Sequence, residues 1–303
     1  MPRRYAVLDV FTGRPLEGNP LAVVLDGDGL DDARMQAIAA ELNLSETVFV
    51  RSAANPVHAG AIRIFTPRRE LPFAGHPTVG TAAILGLEAA GGDGARSEIM
   101  LVLEEQVGPV RCGVSIKGPA AAQVRFDLPQ LPRDGGAAPS RDAIAAALDL
   151  IPSEIGFENH QPSIATAGVP FAFVPLRNLA VVARARANMT AWTSAFGAHG
   201  AFLYCRETTA AGRHFHARMF APGIGIAEDP ATGAAVAALG EVIRRFDEPP
   251  GGSHRYVVEQ GFEMGRPSLI TLELDMDGGG VTGARLAGEA VVIARGTLDL
   301  LGW

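Results

Sequence analysis

The chain carries one ordered set of short motifs twice, and this constrains its fold more than any other feature. Gly18-Asn-Pro-Leu-Ala-Val-Val24 returns as Gly168-Val-Pro-Phe-Ala-Phe-Val174, 150 residues further on. Phe65-Thr-Pro67 returns as Phe220-Ala-Pro222 at 155, and His76-Pro-Thr-Val-Gly-Thr-Ala82 as Asp229-Pro-Ala-Thr-Gly-Ala-Ala235 at 153. Glu105-Gln106 returns as Glu259-Gln260 at 154. With 36 glycines and 21 prolines in 303 residues, any one of these matches would be weak. Four in the same order at nearly constant spacing imply duplication. The expected halves are 1–126 and 127–303, with the last strand free to cross back to the first. The junction falls within 126–140, where Leu-Pro-Gln-Leu-Pro-Arg-Asp-Gly-Gly reads as a linker.

Each half reads as strand-rich with two helices. In the first, residues 4–11, 21–25, 47–50, 61–65, 99–104 and 123–128 have strand patterning. Residues 31–42 have helical spacing behind paired aspartates, which suit the positive end of a helix. A second helix is expected after each His/Asp-Pro turn, over 77–90 and 230–246, with proline at its first position. Gly80, Ala82 and Ala83, or Gly233, Ala234 and Ala235, are small enough for strands to approach, as a helix enclosed by a curled sheet requires.

Bulk composition narrows the partners. Hydrophobic residues make up 48% and the mean hydropathy is +0.17, ample for substantial cores. A net charge of −7 and a pI near 5.5 argue against nucleic-acid and anionic-membrane partners. Lys117, in a turn-like Ser-Ile-Lys-Gly-Pro, is the only lysine, so neither a pyridoxal Schiff base nor a phosphate-loop lysine has a fitting candidate. Cys112 and Cys205 form no CxxC pair, and no apolar signal segment follows Met-Pro-Arg-Arg-Tyr. A soluble protein of a reducing cytoplasm is expected.

The paired turns suggest chemistry. Asp229 before proline is a good helix cap and by itself needs no further role. A duplicated fold, however, that faces two such turns across a cleft aims two helix N-termini at one ligand, favouring a carboxylate. His76 can exchange protons near neutral pH, and Asp229 can accept a hydrogen bond.

Asp9-Val-Phe-Thr, Gly18-Asn-Pro-Leu-Ala-Val-Val, Leu44-Ser-Glu-Thr, Phe73-Ala-Gly-His-Pro-Thr-Val-Gly-Thr-Ala, Glu228-Asp-Pro-Ala-Thr-Gly and Gln260-Gly…Met264-Gly-Arg-Pro-Ser268 together resemble the PhzF-like phenazine-biosynthesis isomerase family. The likeness runs from the first strand to about residue 270. It implies an α+β, duplicated diaminopimelate-epimerase-like fold, with two similar halves, each a curled, mostly antiparallel sheet around a central helix. It also implies a site between the halves, acid–base chemistry without cofactor or metal on a small carboxylate substrate, and a homodimer. By position, Glu46 matches the family's catalytic carboxylate, and His76 and Asp229 match residues that contact the substrate and that carboxylate. Gly75 and Gly233 match turn positions lining the carboxylate pocket, with Asn19 and Ser45 as further contacts. Ala234 stands where the family commonly has serine, so a hydroxyl for the substrate is missing. Arg266 is divided between carboxylate binding and a strand-edge role. Strand alternation adds a physical reason for Glu46: it shares a face with Val48 and Val50, which would desolvate the carboxyl and raise its pKa.

Rival readings need other residues. A racemase of the same fold would use two thiols at these turns, where this chain has His76 and Asp229; Cys112 and Cys205 lie in strand-like segments as small apolar residues. His214-Phe-His216 would put two rings on one strand face, but no third metal ligand is placed. Gly223-Ile-Gly225 lacks the third glycine of a dinucleotide loop. A non-catalytic ligand-binding or interaction module would leave Glu46 exposed or turned away.

Overall fold

The computed structural model describes residues 2–91 and 97–299. The chain forms two compact units, one of Met1–Pro129 with Ala287–Trp303 and the other of Gln130–Leu286. The first holds β1 (Arg3–Val10), β2 (Asn19–Val24), α1 (Asp32–Leu42), β3 (Glu46–Arg51), β4 (Gly60–Phe65), β5 (Glu70–Leu71), α2 (Gly75–Ala90), β6 (Glu98–Glu105), β7 (Gly108–Gly118) and β8 (Ala121–Asp127). The second holds β9 (Arg133–Gly136), α3 (Arg141–Leu148), β10 (Ser163–Thr166), β11 (Pro170–Pro175), α4 (Leu179–Arg184), α5 (Met189–Phe196), β12 (Gly200–Cys205), β13 (Phe215–Ala221), β14 (Ile226–Asp229), α6 (Gly233–Phe246), β15 (Gly252–Gln260) and β16 (Ser268–Asp277). The long β17 (Gly280–Leu298) enters the first unit from Ala287 onward. Among the described residues no helix is long and apolar enough to cross a membrane.

In the first unit the strand ladder returns to its start. β1 pairs antiparallel with β2, β2 parallel with β3, β3 antiparallel with β4, and β4 parallel with β6. β6, β7 and β8 follow antiparallel, β8 pairs with β17, and β17 runs antiparallel to β1. Helix α2 packs against β1, β2, β3, β6, β7 and β8. Every residue from Gly75 to Ile84 is buried, so the helix must be apolar or small on all sides. A Cβ on Gly80 would lie 2.5 Å from Leu21 Cδ2 and 2.9 Å from Val10 Cγ2, and one on Gly86 2.7 Å from Val114 Cγ1. The small residues are therefore where the surrounding strands press closest.

The second unit repeats the ladder. β10–β11–β12–β13–β15–β16 pair antiparallel, parallel, antiparallel, parallel and antiparallel, the same senses as β1–β2–β3–β4–β6–β7. Here α6 takes the place of α2, packing against β9, β10, β11 and β16. The likeness extends to side-chain networks that no motif match revealed. Arg63 grips Glu70 through Nε and Nη2 at 2.7 and 2.6 Å, and Arg218 grips Glu228 in the same way at 2.8 and 2.9 Å. These arginines stand over Phe65 and Phe220, at 5.2 and 4.7 Å from the ring centroids. Glu104 accepts from the Ala54 N–H and His58; Glu259 accepts from the Thr209 N–H and Arg213. Ala54, His58, Arg63, Phe65 and Glu104 each have their counterpart 155 residues later, as in 218 − 63 = 155.

This register corrects the last motif match. Ala61 pairs with Glu104 as His216 pairs with Glu259, so the counterpart of Glu259 is Glu104 and that of Gln260 is Glu105. The helix starts also differ from expectation: α2 begins at Gly75, before its proline, and α6 at Gly233, three residues after Pro230. Asp229 instead ends β14, opposite Met219. The capped start of α1 is as read, with the Asp31 carboxylate accepting from the Arg34 N–H at 2.9 Å. Among the described residues the second unit holds α3, α4 and α5 besides α6, two helices more than expected; α3 and α5 close a core of Ile144, Leu148, Val174, Trp192, Phe196 and Leu203.

Overpacking a buried position costs about 1–3 kcal/mol, against about 1 kcal/mol gained when helical glycine becomes alanine. Gly80→Ala should therefore lower unfolding stability by up to about 2 kcal/mol. Gly118→Ala, where an added Cβ meets nothing within 4 Å, should change it by less than about 0.5 kcal/mol. Urea unfolding of both variants measures the difference.

Candidate active site

In the first unit three expected residues meet. Glu46 opens β3, beside Leu21 in the parallel ladder, and Asn19 opens β2. His76 is the second residue of α2. Glu46 is 9% exposed, His76 5% and Asn19 0%, with Val48 and Val50 also buried. His76 Nε2 lies 3.1 Å from Glu46 Oε2. That approach does not meet the geometry of a hydrogen bond. On the other side Asn19 Nδ2 lies 3.5 Å from His76 Nδ1. An amide donor at Nδ1 assigns the ring proton to Nε2, the nitrogen that faces Glu46. Burial pushes His76 down to about 3, so the ring is neutral at pH 7. A neutral imidazole can donate to the Glu46 carboxylate without trapping it in a fixed ion pair. Ser45 is half-buried on the bend before β3, and Gly75 is buried in the first turn of α2.

The second unit builds a constellation around Asp229. Thr232 Oγ1 donates to Asp229 Oδ2 at 2.5 Å. Gln260 holds the turn from behind: its Oε1 accepts from the Thr232 N–H at 3.0 Å, and its Nε2 donates to the Asp229 carbonyl at 2.7 Å. The next residue, Gly261, has φ 79°, and a Cβ there would lie 2.5 Å from the carbonyl oxygens of both Pro230 and Arg266. Only glycine satisfies both demands. Arg218, through Glu228, anchors the strand leading into Asp229, and its Nη1 also donates to the carbonyls of Val182, Ala183 and Ala185. Gly233 is buried at the start of α6, with Ala234 half-buried beside it.

The two central helices differ from the others at their N-termini. Asp31, Ser140, Asn178 and Asn188 each cap their helix through the side chain. Ala74 has no side chain able to cap α2, and Thr232 turns its hydroxyl to Asp229 rather than to α6. Both starts therefore rely on groups other than a capping side chain to satisfy their first N–H groups.

The units are not interchangeable at the chemical positions. Leu21 faces Glu46 across the parallel ladder, and its counterpart Phe171 faces Gly200. The second unit thus has no carboxyl where the first has Glu46. Cys112 and Cys205 are fully buried, within β7 and β12 and not on the Gly75-His76-Pro77 and Asp229-Pro230 segments. Burial drives the Cys112 thiol far up and Cys205 to about 12, which disfavours the thiolates a two-thiol mechanism needs. Arg266 lies in the turn before β16, its N–H donating to the Gly261 carbonyl. His214 Nδ1 accepts the Val257 N–H, while both nitrogens of His216 are held by carboxylates, Glu259 and Glu263, each at 2.8 Å. Sequence reasoning did not single out Thr232 or Gln260 as site residues, although both lie within repeated motifs.

Burial lowers one histidine, and carboxylates raise another. For His216 burial acts downward, but Glu259 and Glu263 overcome it and hold the ring up to about 9. Histidine NMR should therefore find His76 neutral and His216 cationic throughout pH 5 to 8. A His76 midpoint between 6 and 7 would contradict this environment. Because the unfolded ring titrates near its usual value, His76 favours folding above about pH 6.5, and that contribution is lost as pH falls toward 3.

A family model described as phenazine biosynthesis-like protein (PhzC-PhzF) matches residues 8–296. An uncharacterized isomerase of Mesorhizobium japonicum is 50% identical over 302 residues, covering 98% of each chain. The trans-2,3-dihydro-3-hydroxyanthranilate isomerase of Pseudomonas chlororaphis is 34% identical over 297 residues, covering 98% of this chain and 99% of its own. Among solved structures, a PhzF-family phenazine biosynthesis protein of Bacillus anthracis superposes with a TM-score of 0.87 at 25% identity, covering 99% of this chain and 100% of its own. A probable proline racemase of Agrobacterium radiobacter (TM-score 0.63, 12% identity, 98% and 93% covered) shares the fold alone. The duplicated epimerase-like architecture thus stands, and the chain belongs to the PhzC-PhzF phenazine biosynthesis-like family, as an isomerase.

Proposed function

We propose that the protein is a cofactor-independent isomerase that moves a proton within a small carboxylate such as trans-2,3-dihydro-3-hydroxyanthranilate. The observation that carries this reading is the buried Glu46 carboxyl, 3.1 Å from a neutral His76 whose other nitrogen faces Asn19. The relatives named for that reaction support the substrate class.

In this mechanism Glu46 is the single base. Its carboxylate takes a proton from a carbon next to a conjugated system, and the C–H electron pair moves into that system. The double bonds shift, and the acid form of Glu46 returns the proton to a carbon further along. Atoms and electrons balance within the substrate, so no oxidant, reductant or cofactor is consumed. His76 Nε2–H steadies the carboxylate between the two transfers. Asp229 accepts a hydrogen bond from the substrate, with Thr232 and Gln260 fixing its turn. Gly75 and Gly233 each open a helix whose first N–H groups suit a substrate carboxylate, with Asn19 and Ser45 in the unit of Gly75. The absence of a carboxyl at Gly200 supports one base that both removes and returns the proton, rather than the two opposed bases of a racemase. Ala234 in place of a serine hydroxyl favours a substrate that asks less of that turn. A homodimer in solution belongs to the same proposal.

The decisive measurement is deuterium uptake into substrate from heavy water, with trans-2,3-dihydro-3-hydroxyanthranilate and related cyclic carboxylates. Glu46→Gln should slow exchange by roughly 10²–10⁴-fold without preventing folding. Exchange at the wild-type rate in that variant would remove Glu46 from its role. Ala234→Ser should restore affinity for the dihydroanthranilate if the missing hydroxyl limits it.

A further inference from the structure

Glu105 ends β6 as a buried carboxyl group to which the mechanism above gives no part. Its Oε1 lies 2.8 Å from Thr78 Oγ1, and that hydroxyl also lies 2.8 Å from the Ala74 carbonyl. Ala74 and Thr78 bracket the first turn of α2, and His76 stands between them. A hydroxyl has one proton to donate. When Thr78 gives it to the Ala74 carbonyl, Glu105 can hydrogen-bond to Thr78 only as donor, which requires the carboxylic acid. Burial favours that form, pushing Glu105 up to about 8 against the downward pull of Thr78. Its Oε2 has no hydrogen-bond partner among the described residues, tolerable for a neutral acid but costly for a buried carboxylate.

The surroundings supply no counter-charge. Among the described residues the titratable groups on the neighbouring strands are the Cys112 thiol on β7, kept uncharged chiefly by burial, and the acidic Asp127 on β8, neither of them a cation. The adjacent Glu104 directs its carboxylate to the Ala54 and Asn55 N–H groups and to His58. In the second unit the equivalent position is Gln260, whose amide holds the Asp229 turn as a donor at every pH. The first unit does the corresponding task with a donor that can be lost.

We propose that Glu105 in its acid form is a positioning residue, holding through Thr78 the turn that sets His76, and that loss of its proton releases this turn. Once ionised, Glu105 draws the Thr78 proton to itself, and the Ala74 carbonyl loses its hydroxyl donor. The isomerase therefore has an alkaline limit set outside its reacting groups. The inference rests on the reading of His76 as part of the active site.

The test compares wild type with Glu105→Gln, Glu105→Leu and Thr78→Val in the full chain. Proton turnover of trans-2,3-dihydro-3-hydroxyanthranilate by wild type should decline above about pH 8. Glu105→Gln should keep neutral-pH turnover within about twofold and lose the alkaline decline, while Glu105→Leu and Thr78→Val should lose tenfold or more at every pH, up to about 10²-fold. Independently of turnover, the His76 ring nitrogen signals should shift between pH 7 and 9.5 in wild type and stay constant in Glu105→Gln. Stability supplies a third readout. An acid raised in the folded state favours folding most below its unfolded value near 4.5 and loses that contribution as pH rises to about 8, so Glu105→Gln should gain Tm relative to wild type across that interval. Coincident alkaline limbs, or His76 signals that move equally in both proteins, would overturn the proposal. Failure of wild type to act on the dihydroanthranilate would instead count against the substrate, leaving the NMR and stability arms to decide on Glu105.

Discussion

A helix surrounded on nearly every side by strands cannot use an amphipathic face, and this constraint organises the molecule. Around α2 the strands come close enough that Gly80 and Gly86 have no room for a methyl group. The helix gains burial at the cost of side chains that could fix its orientation. Its first turn must then be held from outside, and the structure does so with Glu105 and Thr78 in one unit and with Gln260 and Thr232 in the other. The residues of chemical interest, His76 and Asp229, lie on these externally held turns. Enclosure thus provides both a dry setting for Glu46 and His76 and a need for the polar braces around them.

Much of the fold was legible because duplication repeats backbone demands. Gly-x-Pro before β2 and β11, and the His/Asp-Pro turns, recur since the same ladder must be made twice. Glu46, His76 and Asn19 were legible through the family resemblance, and Glu46 and Asn19 come close because β2 and β3 are a parallel pair that begin at one end. The Arg63–Glu70 and Arg218–Glu228 grips were not legible. Each joins residues whose separation varies with loop length, so no fixed spacing marks them. The register of β6 was misread by one residue because Glu104 and Glu105 are adjacent acids and either could match Glu259 by type. Side chains on a strand alternate between faces, and only hydrogen-bond pairing distinguishes them. The late start of α6 was hidden as well: proline permits a helix to begin, but Gln260, distant in sequence, holds Asp229 and Thr232 in a turn that delays it.

The duplicated frame and the single set of reacting groups follow different rules. The arginine grips over aromatic rings and the Glu104 and Glu259 networks are kept in both units, since each unit needs the same strands held. The units differ at Glu46 against Gly200, Glu105 against Gln260 and His76 against Asp229. Where the units match, the residues support the ladder. Where they differ, the residues fall at the turns and strand starts that carry the candidate residues of each unit.

The path of β17 has a consequence for how the chain is made. The first unit closes only when residues from Ala287 to Leu298 pair with β1, whereas the second unit is one uninterrupted stretch. During synthesis the first unit emerges early but waits, with an open seam beside β1, until residues 287–298 have been made. The C-terminal unit can finish first, reversing the usual order in which domains fold on the ribosome. Throughout that interval the exposed edge of β1 is the part of the nascent chain most open to pairing with the wrong partner.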